Sequence, residues 1–209
     1  GRTVTLLADA QAVRALFAVA DPLRGHARQA IAELRALGVH PVVLSGDNPA
    51  TAQAIAAEAG ITDALDALGG LLPQDKLDTL AALQRTRGPT AMAGDGINDA
   101  PALAQADVGF AMGGAHSTGM AMETADVVLM NDDLRRIPDT VRLARRAHAV
   151  LWQNITLALG IKAAFFTLAL LGMASMWMAV AADMGVSLLV VANGLRLRRG
   201  ASIAAKEAA

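Results

Sequence analysis

Two long apolar runs near the carboxyl end constrain the fold of this chain more than any other feature. They cover residues 150–172 and 176–195, and together they contain only two ionisable side chains, Lys162 and Asp183. At about 1.5 Å per residue, a helix of either length can cross a hydrocarbon core of roughly 30 Å. Because the loop between them is only a few residues long, the sequence predicts an antiparallel membrane-spanning hairpin.

The flanks of the two runs predict their orientation. "RLARRAH" (142–148) precedes the first run and "RLRR" (196–199) follows the second. Basic residues collect on the cytoplasmic side of a membrane, so we expect both ends of the hairpin to be cytoplasmic and a lipid bilayer to be its partner. The alternative is a buried helical hairpin of a soluble protein.

Lys162 and Asp183 are expected at similar depth. Lys162 lies 12 residues after Val150, and Asp183 lies 12 residues before Leu195. Each charge alone would cost about 2.5–3.5 kcal/mol at the centre of a bilayer. A salt bridge that only specifies helix pairing is one explanation, but many buried pairs gain no net stability. We favour an ion path in which Asp183 ligates a cation and Lys162 replaces that cation after it leaves.

The composition excludes other classes of function. The net charge of −1 argues against a nucleic-acid surface, which needs a basic patch. The chain contains no cysteine, so neither a disulfide framework nor thiolate chemistry is available in it.

The first two thirds of the chain predict an α/β fold. Short apolar runs predict buried strands, and helical patterns lie between most of them. The strand candidates are "LFAVA" (16–20), "VHPVVL" (39–44), "PTAMAG" (89–94), "DVGFAM" (107–112) and "DVVLM" (126–130), and the helix candidates are 25–37, 49–59, 74–86 and 99–105. This alternation predicts a Rossmann-type parallel sheet covered on both faces, with ligands beyond the carboxyl ends of its strands. Residues 1–20 precede the alternation and predict a hairpin or the tail of a neighbouring domain.

The string "GDGIND" (94–99) is the most specific stretch of the chain. Asp95 and Asp99 bracket a tight loop after a predicted strand, and paired carboxylates beside a phosphate suit Mg²⁺. The alternative is local: Asp99 caps the helix that Pro101 helps to start.

Two further polar stretches suit the same chemistry. Ser45, Gly46 and Asp47 follow a predicted strand and offer a hydroxyl and backbone N–H groups to phosphoryl oxygens. Lys76 lies in the first turn of a helix opened by Pro73, where the helix dipole disfavours a cation, so a nearby anion would explain it. Alone, Lys76 would be interpreted as a surface residue. Together the three stretches predict a phosphoryl-transfer site, which depends on positioning and charge neutralisation.

These motifs resemble the C-terminal part of a P-type ATPase, which carries a haloacid-dehalogenase-like domain. The resemblance rests on "SGDN", "PQDK", "GDGINDAPAL", "ETADVVL" and the terminal hairpin, and it covers essentially the whole chain. It implies that Ser45, Gly46 and Asp47 surround a phosphorylated aspartate.

The resemblance also implies roles for the lysine and for the carboxylate loop. Lys76 would neutralise the phosphoryl group. Asp95 would ligate Mg²⁺, and Asn98 and Asp99 would support that site.

The hairpin narrows the resemblance to the zinc-, cadmium- and lead-exporting heavy-metal ATPases. The matching strings are "QNITLALGIKAAFF" and "AVAADMGVSLLVVANGLRL". The resemblance implies that Asp183 ligates the transported metal, that Lys162 is its counter-ion, and that the plasma (inner) membrane holds the protein. It also implies ATP as the phosphoryl donor, bound mainly by pump domains upstream.

The implied domains divide the chain into four parts. Residues 1–20 would end the nucleotide-binding domain, and residues 21–140 would form most of the phosphorylation domain. Residues 141–200 would hold the last two transmembrane helices, at about 150–172 and 176–195, and residues 201–209 would form a tail.

One motif of the resemblance is missing from this chain. It contains no Asp-Lys-Thr-Gly-Thr string, so the expected phosphorylated aspartate is not in it. We therefore expect the chain alone to be inactive. Two alternatives remain open: a membrane-anchored phosphatase of the haloacid-dehalogenase type, and a non-catalytic, pump-derived binding module.

Overall fold

The chain forms two compact units, Gly1–Pro138 and Asp139–Ala209. The structure is a computed structural model that describes residues 3–9, 11–19, 22–94, 97–113, 119–130 and 133–207. In this described part the strands are β1 (Thr3–Ala8), β2 (Val13–Val19), β3 (Val43–Leu44), β4 (Ala67–Leu68), β5 (Ala91–Gly94), β6 (Val108–Met112) and β7 (Val127–Leu129). The α-helices are α1 (Ala27–Ala36), α2 (Pro49–Glu58), α3 (Pro73–Arg87), α4 (Ala100–Gln105), α5 (Gly119–Thr124), α6 (Arg136–Leu170) and α7 (Met176–Glu207).

Strands β1 and β2 form an antiparallel hairpin. Their register pairs Thr3 with Val19 and Leu6 with Leu16. The prediction of a buried strand at 16–20 is therefore wrong, because Leu16 and Phe17 are exposed and β2 pairs only with β1 within the described residues. The alternative prediction of a hairpin within residues 1–20 is confirmed.

The other strands pair in parallel. Strand β3 pairs with β4, and β6 pairs with both β5 and β7. In the described part of the chain these pairings make a two-stranded sheet and a separate three-stranded sheet, so β3 and β5 do not hydrogen-bond to each other. The predicted α/β class with a parallel sheet is confirmed, and the predicted strand at 39–44 is shorter than expected.

Strand β6 carries the core of the three-stranded sheet on both of its faces. Ala111 packs with Leu103 of α4 on one face. Phe110 and Met112 point to the opposite face, where Leu134 packs against them. Because successive side chains of a strand alternate, the continuous apolar run of β6 serves two layers, as the sequence predicts for a doubly covered strand.

Local capping explains where two of the helices begin. The side chain of Asn48 accepts a hydrogen bond of 2.9 Å from the Thr51 N–H, and Pro49 occupies the first turn of α2. Pro73 begins α3, and the N–H of Leu72 donates to Asp75 Oδ2 at 2.9 Å. These are the positions where a proline costs no hydrogen bond and a carboxylate offsets the helix dipole.

The second unit consists mainly of two long helices. Both extend beyond the apolar runs: α6 begins at Arg136 and includes the basic segment, and α7 continues to Glu207 through most of the predicted tail. Helix α6 ends at Leu170 because Gly172 takes a φ of +71° and the N–H of Met173 bonds to Leu168 O at 2.9 Å. This positive-φ glycine after the last helical residue is a common helix stop.

A charged cluster surrounds one buried carboxylate of the first unit. Asp66 is 2% exposed, and its Oδ1 accepts from Arg87 Nη1 at 3.0 Å while its Oδ2 lies 2.5 Å from His40 Nε2. Burial by itself raises the pKa of Asp66, but the hydrogen bonds from Arg87 and His40 outweigh burial and hold that pKa below its ordinary value. The cluster ties the end of α3 to the loop before β3.

Asp66→Asn is expected to lower the free energy of unfolding of the first unit by about 1–3 kcal/mol, because two charge-assisted hydrogen bonds are weakened. The folded-state pKa of Asp66 is depressed, so its contribution is present above the unfolded carboxyl pKa of about 3.9 and is lost as pH falls through the folded-state value. Urea unfolding of the detergent-solubilised chain, followed by circular dichroism at pH 7 and at pH 3, measures both effects.

Asp63→Asn is the matched control for this prediction. Asp63 is exposed and accepts from the Leu65 N–H, a bond that an asparagine oxygen can also accept. Equal stability of the Asp66 and Asp63 variants at pH 7 would contradict the assignment of stability to the buried cluster.

Candidate functional site

The loop after β3 is held in place by the loop after β4. The Ser45 N–H donates to Leu68 O at 2.9 Å, and the Leu71 N–H donates to Ser45 O at 3.0 Å. The Gly70 N–H also donates to Asp47 O. These backbone bonds fix the position of the polar tripeptide at the carboxyl end of β3.

Within this tripeptide the side chains form a local turn. Ser45 Oγ donates to Asp47 Oδ2 at 3.1 Å, and the Asp47 N–H donates back to Ser45 Oγ at 3.1 Å. Gly46 and Asp47 are exposed, whereas Ser45 is half-buried. The loop thus presents a hydroxyl, a carboxylate and an exposed glycine backbone at a strand end.

Two glycines outside the predicted site make this loop possible. A Cβ on Gly69 would lie 2.8 Å from Asp47 O and 2.7 Å from Pro49 Cα, closer than real Cβ contacts allow. Gly70 follows with a φ of +72°, in the left-handed region that favours glycine. Neither glycine is among the predicted site residues, although a Gly-Gly dipeptide is a turn signal that marks them.

Lys76 and Asp99 form an ion pair. Lys76 Nζ lies 2.7 Å from Asp99 Oδ1, and the two side chains are 14% and 16% exposed. The pair joins the first turn of α3 to the segment that follows β5. Asp99 stands at the start of α4 but makes no capping hydrogen bond there, so the local capping explanation of this residue is wrong.

Asp99 is folded back over the end of β5. A Cβ on Gly94 would lie 2.7 Å from Asp99 Cβ and 2.9 Å from Asp99 Oδ2. Only a residue without a side chain leaves room for the carboxylate at this strand end. Gly94 therefore sets the position of Asp99 as directly as Lys76 does.

The predicted residues of the first unit meet as two pairs, Ser45 with Asp47 and Lys76 with Asp99. No hydrogen bond among the described residues joins one pair to the other. The side chain of Asn98 is exposed, and Asp95 lies outside the described residues. The magnesium prediction for Asp95 therefore stays a prediction.

The donor set at this edge is consistent with Mg²⁺ but incomplete among the residues that the structure describes. Asp99 contributes a carboxylate whose Oδ2 faces the end of β5. No group of three or more His, Cys, Asp or Glu side chains that could hold a metal occurs in the described part of the chain. Magnesium often takes only one or two carboxylates and completes its shell with water and phosphate, so a pair of carboxylates at 95 and 99 fits this ion.

In the second unit, both long helices are apolar enough to cross a membrane. The helices are Arg136–Leu170, which contains an 18-residue window with a mean hydropathy of 1.4, and Met176–Leu197, which contains an 18-residue window with a mean hydropathy of 1.7. Little of either apolar window is buried in the structure, which argues against the core of a soluble protein. Asn193 Nδ2 donates to Asn154 Oδ1 at 2.9 Å and to Gln153 Oε1 at 3.3 Å. Because only residues 171–175 connect the other ends of the two helices, the helices run antiparallel.

This contact sets the relative depth of Lys162 and Asp183. Lys162 lies eight residues after Asn154, and Asp183 lies ten residues before Asn193. At about 1.5 Å per residue these offsets correspond to about 12 Å and 15 Å along the hairpin, a difference of about 3 Å. The prediction that the two charges lie at similar depth agrees with this register.

The same numbers of residues from the Asn154–Asn193 contact also predict that both charges lie on one side of the hairpin. At about 100° per residue, Lys162 is rotated by about 80° from Asn154, and Asp183 is rotated by about 80° in the same sense from Asn193. Because the helices are antiparallel, equal rotations in the same sense lead to the same flank. Both side chains are exposed, and no ion pair joins them in this part of the structure.

Comparison with known proteins identifies relatives for both units. Residues 1–107 match the family model described as "Hydrolase: haloacid dehalogenase-like hydrolase". A probable cadmium-transporting ATPase of Listeria monocytogenes is 48% identical over 95% of this chain and 28% of its own length. The zinc/cadmium/lead-transporting P-type ATPase of Escherichia coli K12 is also 48% identical, over 95% of this chain and 26% of its own length.

A solved structure agrees with these relatives. The crystal structure of a zinc-transporting PIB-type ATPase in its E2.Pi state matches with a TM-score of 0.84 and 48% identity, over 94% of this chain and 32% of that chain. The chain thus spans about a quarter to a third of the proteins that it matches. It belongs to the haloacid dehalogenase-like hydrolases, and its relatives along nearly its full length are heavy-metal-transporting P-type ATPases.

Proposed function

We propose that this chain is a segment of an ATP-driven pump that exports Zn²⁺, Cd²⁺ or Pb²⁺. One observation carries the proposal: a haloacid dehalogenase-like unit continues, in the same chain, into two long apolar helices that contain one lysine and one aspartate within their apolar runs. Relatives named for zinc, cadmium and lead transport support the choice of metal. In this proposal residues 21–140 form most of the phosphorylation domain, and residues 1–20 end the nucleotide-binding domain.

The polar edge of the first unit would support phosphoryl transfer to and from an aspartate supplied by another part of the pump. Lys76 would neutralise charge on the phosphoryl group, and its pairing with Asp99 keeps the ammonium at the strand edge before the phosphoryl group arrives. Ser45 and the backbone N–H groups of Gly46 and Asp47 would hold phosphoryl oxygens. Positioning and charge neutralisation are the main requirements of this chemistry.

Mg²⁺ would be held by Asp95 and Asp99, with Asn98 supporting the loop between them. The ion would neutralise negative charge on the phosphoryl oxygens. The role of the protein is to keep Asp99 at the end of β5, which the space left by Gly94 and the bond from Lys76 achieve.

The hairpin would form part of the metal path. Asp183 supplies a carboxylate ligand at the depth where a charge is most costly, and Lys162 supplies a cation that can take the place of the departing metal. Both charges are directed to the same flank, so the remaining ligands would come from helices that pack against that flank. The pump domains outside this chain are thus required partners.

The flanking basic residues support the orientation of the pump. Segment 142–148 precedes the first apolar run (150–172), and segment 196–199 follows the second (176–195). Their charge favours a cytoplasmic location for the phosphorylation domain and the carboxyl end, in a multi-pass protein of the plasma (inner) membrane.

A membrane-anchored phosphatase is the second candidate, because the matching family model describes hydrolases in general. This function requires an aspartate nucleophile within the chain. Hydrolysis of a generic phosphomonoester by the purified chain alone would favour the phosphatase, and its absence together with metal-stimulated ATP hydrolysis by the complete protein would favour the pump.

Lys76→Met in the complete pump is expected to reduce metal-stimulated ATP hydrolysis by about 100-fold or more, because the phosphoryl charge loses a preorganised cation. Asp78→Asn is the control on the same helix, since Asp78 is exposed and its side chain bonds only to Gln74 among the described residues. Near-normal activity of the Lys76 variant would remove this residue from the site.

Asp183→Ala in the complete pump is expected to abolish Zn²⁺-stimulated ATP hydrolysis, because the membrane site loses its carboxylate. The neighbouring Met184→Ala removes an exposed apolar side chain and should retain stimulation. The measurement is the ATP hydrolysis rate as a function of Zn²⁺ concentration, and Zn²⁺ stimulation of the Asp183 variant would refute the metal assignment.

Lys162→Ala is expected to raise metal-free ATP hydrolysis or to slow metal release, because no cation then replaces the departing metal. Phe166→Ala, four residues along the same helix, changes an exposed apolar side chain and serves as the control. If the metal-free rate and the release rate both match those of the unmodified pump, Lys162 is not a counter-ion.

A further inference from the structure

A polar clamp joins the two membrane-spanning helices at one end of the hairpin. We define the clamp as Gln153 and Asn154 of α6 with Asn193 and Arg196 of α7. Asn193 Nδ2 donates to Asn154 Oδ1 at 2.9 Å and to Gln153 Oε1 at 3.3 Å, and Asn193 Oδ1 accepts from Arg196 Nη1 at 3.3 Å. The amide of Asn193 therefore uses both its donor and its acceptor groups.

We propose that this clamp sets the rotation and register of α7 against α6, so that Lys162 and Asp183 reach the same flank at the same depth. Asn193 is then a positioning residue that acts through Asp183. The inference rests on the proposed function, because it assigns the clamp a role in the metal path.

The apolar part of the interface specifies the rotation and register of α7 less sharply than the clamp does. The half-buried residues of α6 in this region repeat at heptad-like spacing, as do the half-buried or buried residues of α7. They are Ala158, Ile161, Phe165 and Leu168 on α6, and Ala182, Gly185, Val186 and Val190 on α7. Apolar side chains at this spacing can pack in neighbouring registers, and a polar residue in such a seam specifies the register because a hydrogen bond between amides has one correct geometry.

The loop between the helices also leaves the rotation open. Residues 171–175 connect α6 to α7 and limit how far the helices can slide. A chain of five residues does not prevent α7 from turning about its own axis. Asp183 is rotated by about 80° from Asn193, so a turn of α7 by one residue position, about 100°, would carry its carboxylate away from the flank that Lys162 faces.

The position of the clamp suits this role. It lies where the apolar runs meet the basic segments, about 12–15 Å along the hairpin from the two charges. At that distance the clamp does not contact the metal site. It determines the site only through the rigid helices that connect them.

The first experiment measures the geometry of the hairpin without requiring pump activity. The chain contains no cysteine, so Phe166→Cys and Val191→Cys, both at exposed positions, introduce a unique pair for spin labels. Pulsed EPR on the chain in lipid nanodiscs then measures the distance between the labels. Asn193→Leu is expected to shift or broaden that distance by several ångströms, because a turn of α7 by about 100° carries the label at residue 191 to another side of the helix.

Two further variants make this result specific. Asn154→Leu should cause the same change, and the double variant should change the distance no further, because the two amides act as one unit. Thr167→Val is the control: the Thr167 hydroxyl bonds to Ala163 O within its own helix, so its removal should leave the distance unchanged. An unchanged distance in both asparagine variants would overturn the proposal.

The second experiment measures metal dependence in the complete pump. Asn193→Leu is expected to raise the KM for Zn²⁺ about tenfold or more with a smaller change in kcat, because Asp183 no longer faces the metal path. Asn193→Asp should restore most of the affinity, since a carboxylate accepts from Arg196 and, once the side-chain amides of Gln153 and Asn154 rotate by 180°, from their N–H groups. A residue needed only for folding would lower the amount of active pump and leave the KM unchanged.

The two experiments separate the failure of this inference from that of the proposed function. Altered label distances with a normal KM for Zn²⁺ would refute the positioning role. A complete protein that shows no metal-stimulated ATP hydrolysis would refute the proposed pump, and the label distances would still decide whether the clamp fixes the hairpin.

Discussion

The ion pair between Lys76 and Asp99 organises the polar edge of the first unit. It joins the start of α3 to the segment after β5 at a distance of 2.7 Å, where both side chains are mostly shielded from water. The carboxylate of Asp99 could either cap α4 or bind Lys76. A helix cap stabilises a protein by about 1 kcal/mol, whereas a hydrogen bond to a charged group stabilises it by about 1.5–3 kcal/mol. Asp99 therefore binds Lys76 and does not cap α4. Gly94 permits the Asp99 carboxylate to take this position, because the side chain of a larger residue would collide with it.

Polar side chains of the second unit also need hydrogen-bond partners, but among the described residues only some of them have partners within this unit. Asn193 donates a hydrogen bond to the Asn154 side chain across the hairpin. Counting along ideal helices from the Asn154–Asn193 contact puts Lys162 and Asp183 at similar depth and on one flank. The two side chains are exposed and are not paired with each other in the described structure. Two charges at the centre of an apolar hairpin are costly, so their presence favours a functional role over a structural one. The second unit therefore contains one polar contact between its helices, at Asn154 and Asn193, and two charges for which we propose a role in the metal path.

Much of the fold and part of the site follow from sequence patterns. Helical patterns predict α2 and α3, with Pro73 marking the start of α3, and the length and hydropathy of the last two runs predict α6 and α7. The two-residue strand β4 and the six-residue helix α5 are missing from the prediction because elements this short carry no periodicity. The buried strand at 16–20 is wrong because an apolar run predicts burial only where a neighbour covers it. Nothing in the described chain covers β2, and its large side chains are exposed.

The sequence by itself determined which chemistry is available: two carboxylates and a lysine for a phosphoryl site, and one acid and one base within an apolar hairpin. Those properties depend on residue type and local order, which the sequence states directly. Only the tertiary structure decided that Lys76 binds Asp99, that Gly69 and Gly70 hold the Ser45 loop, and that Asn193 meets Asn154. These contacts join residues 20 to 40 positions apart, and their existence depends on how helices and strands pack, which no local pattern encodes.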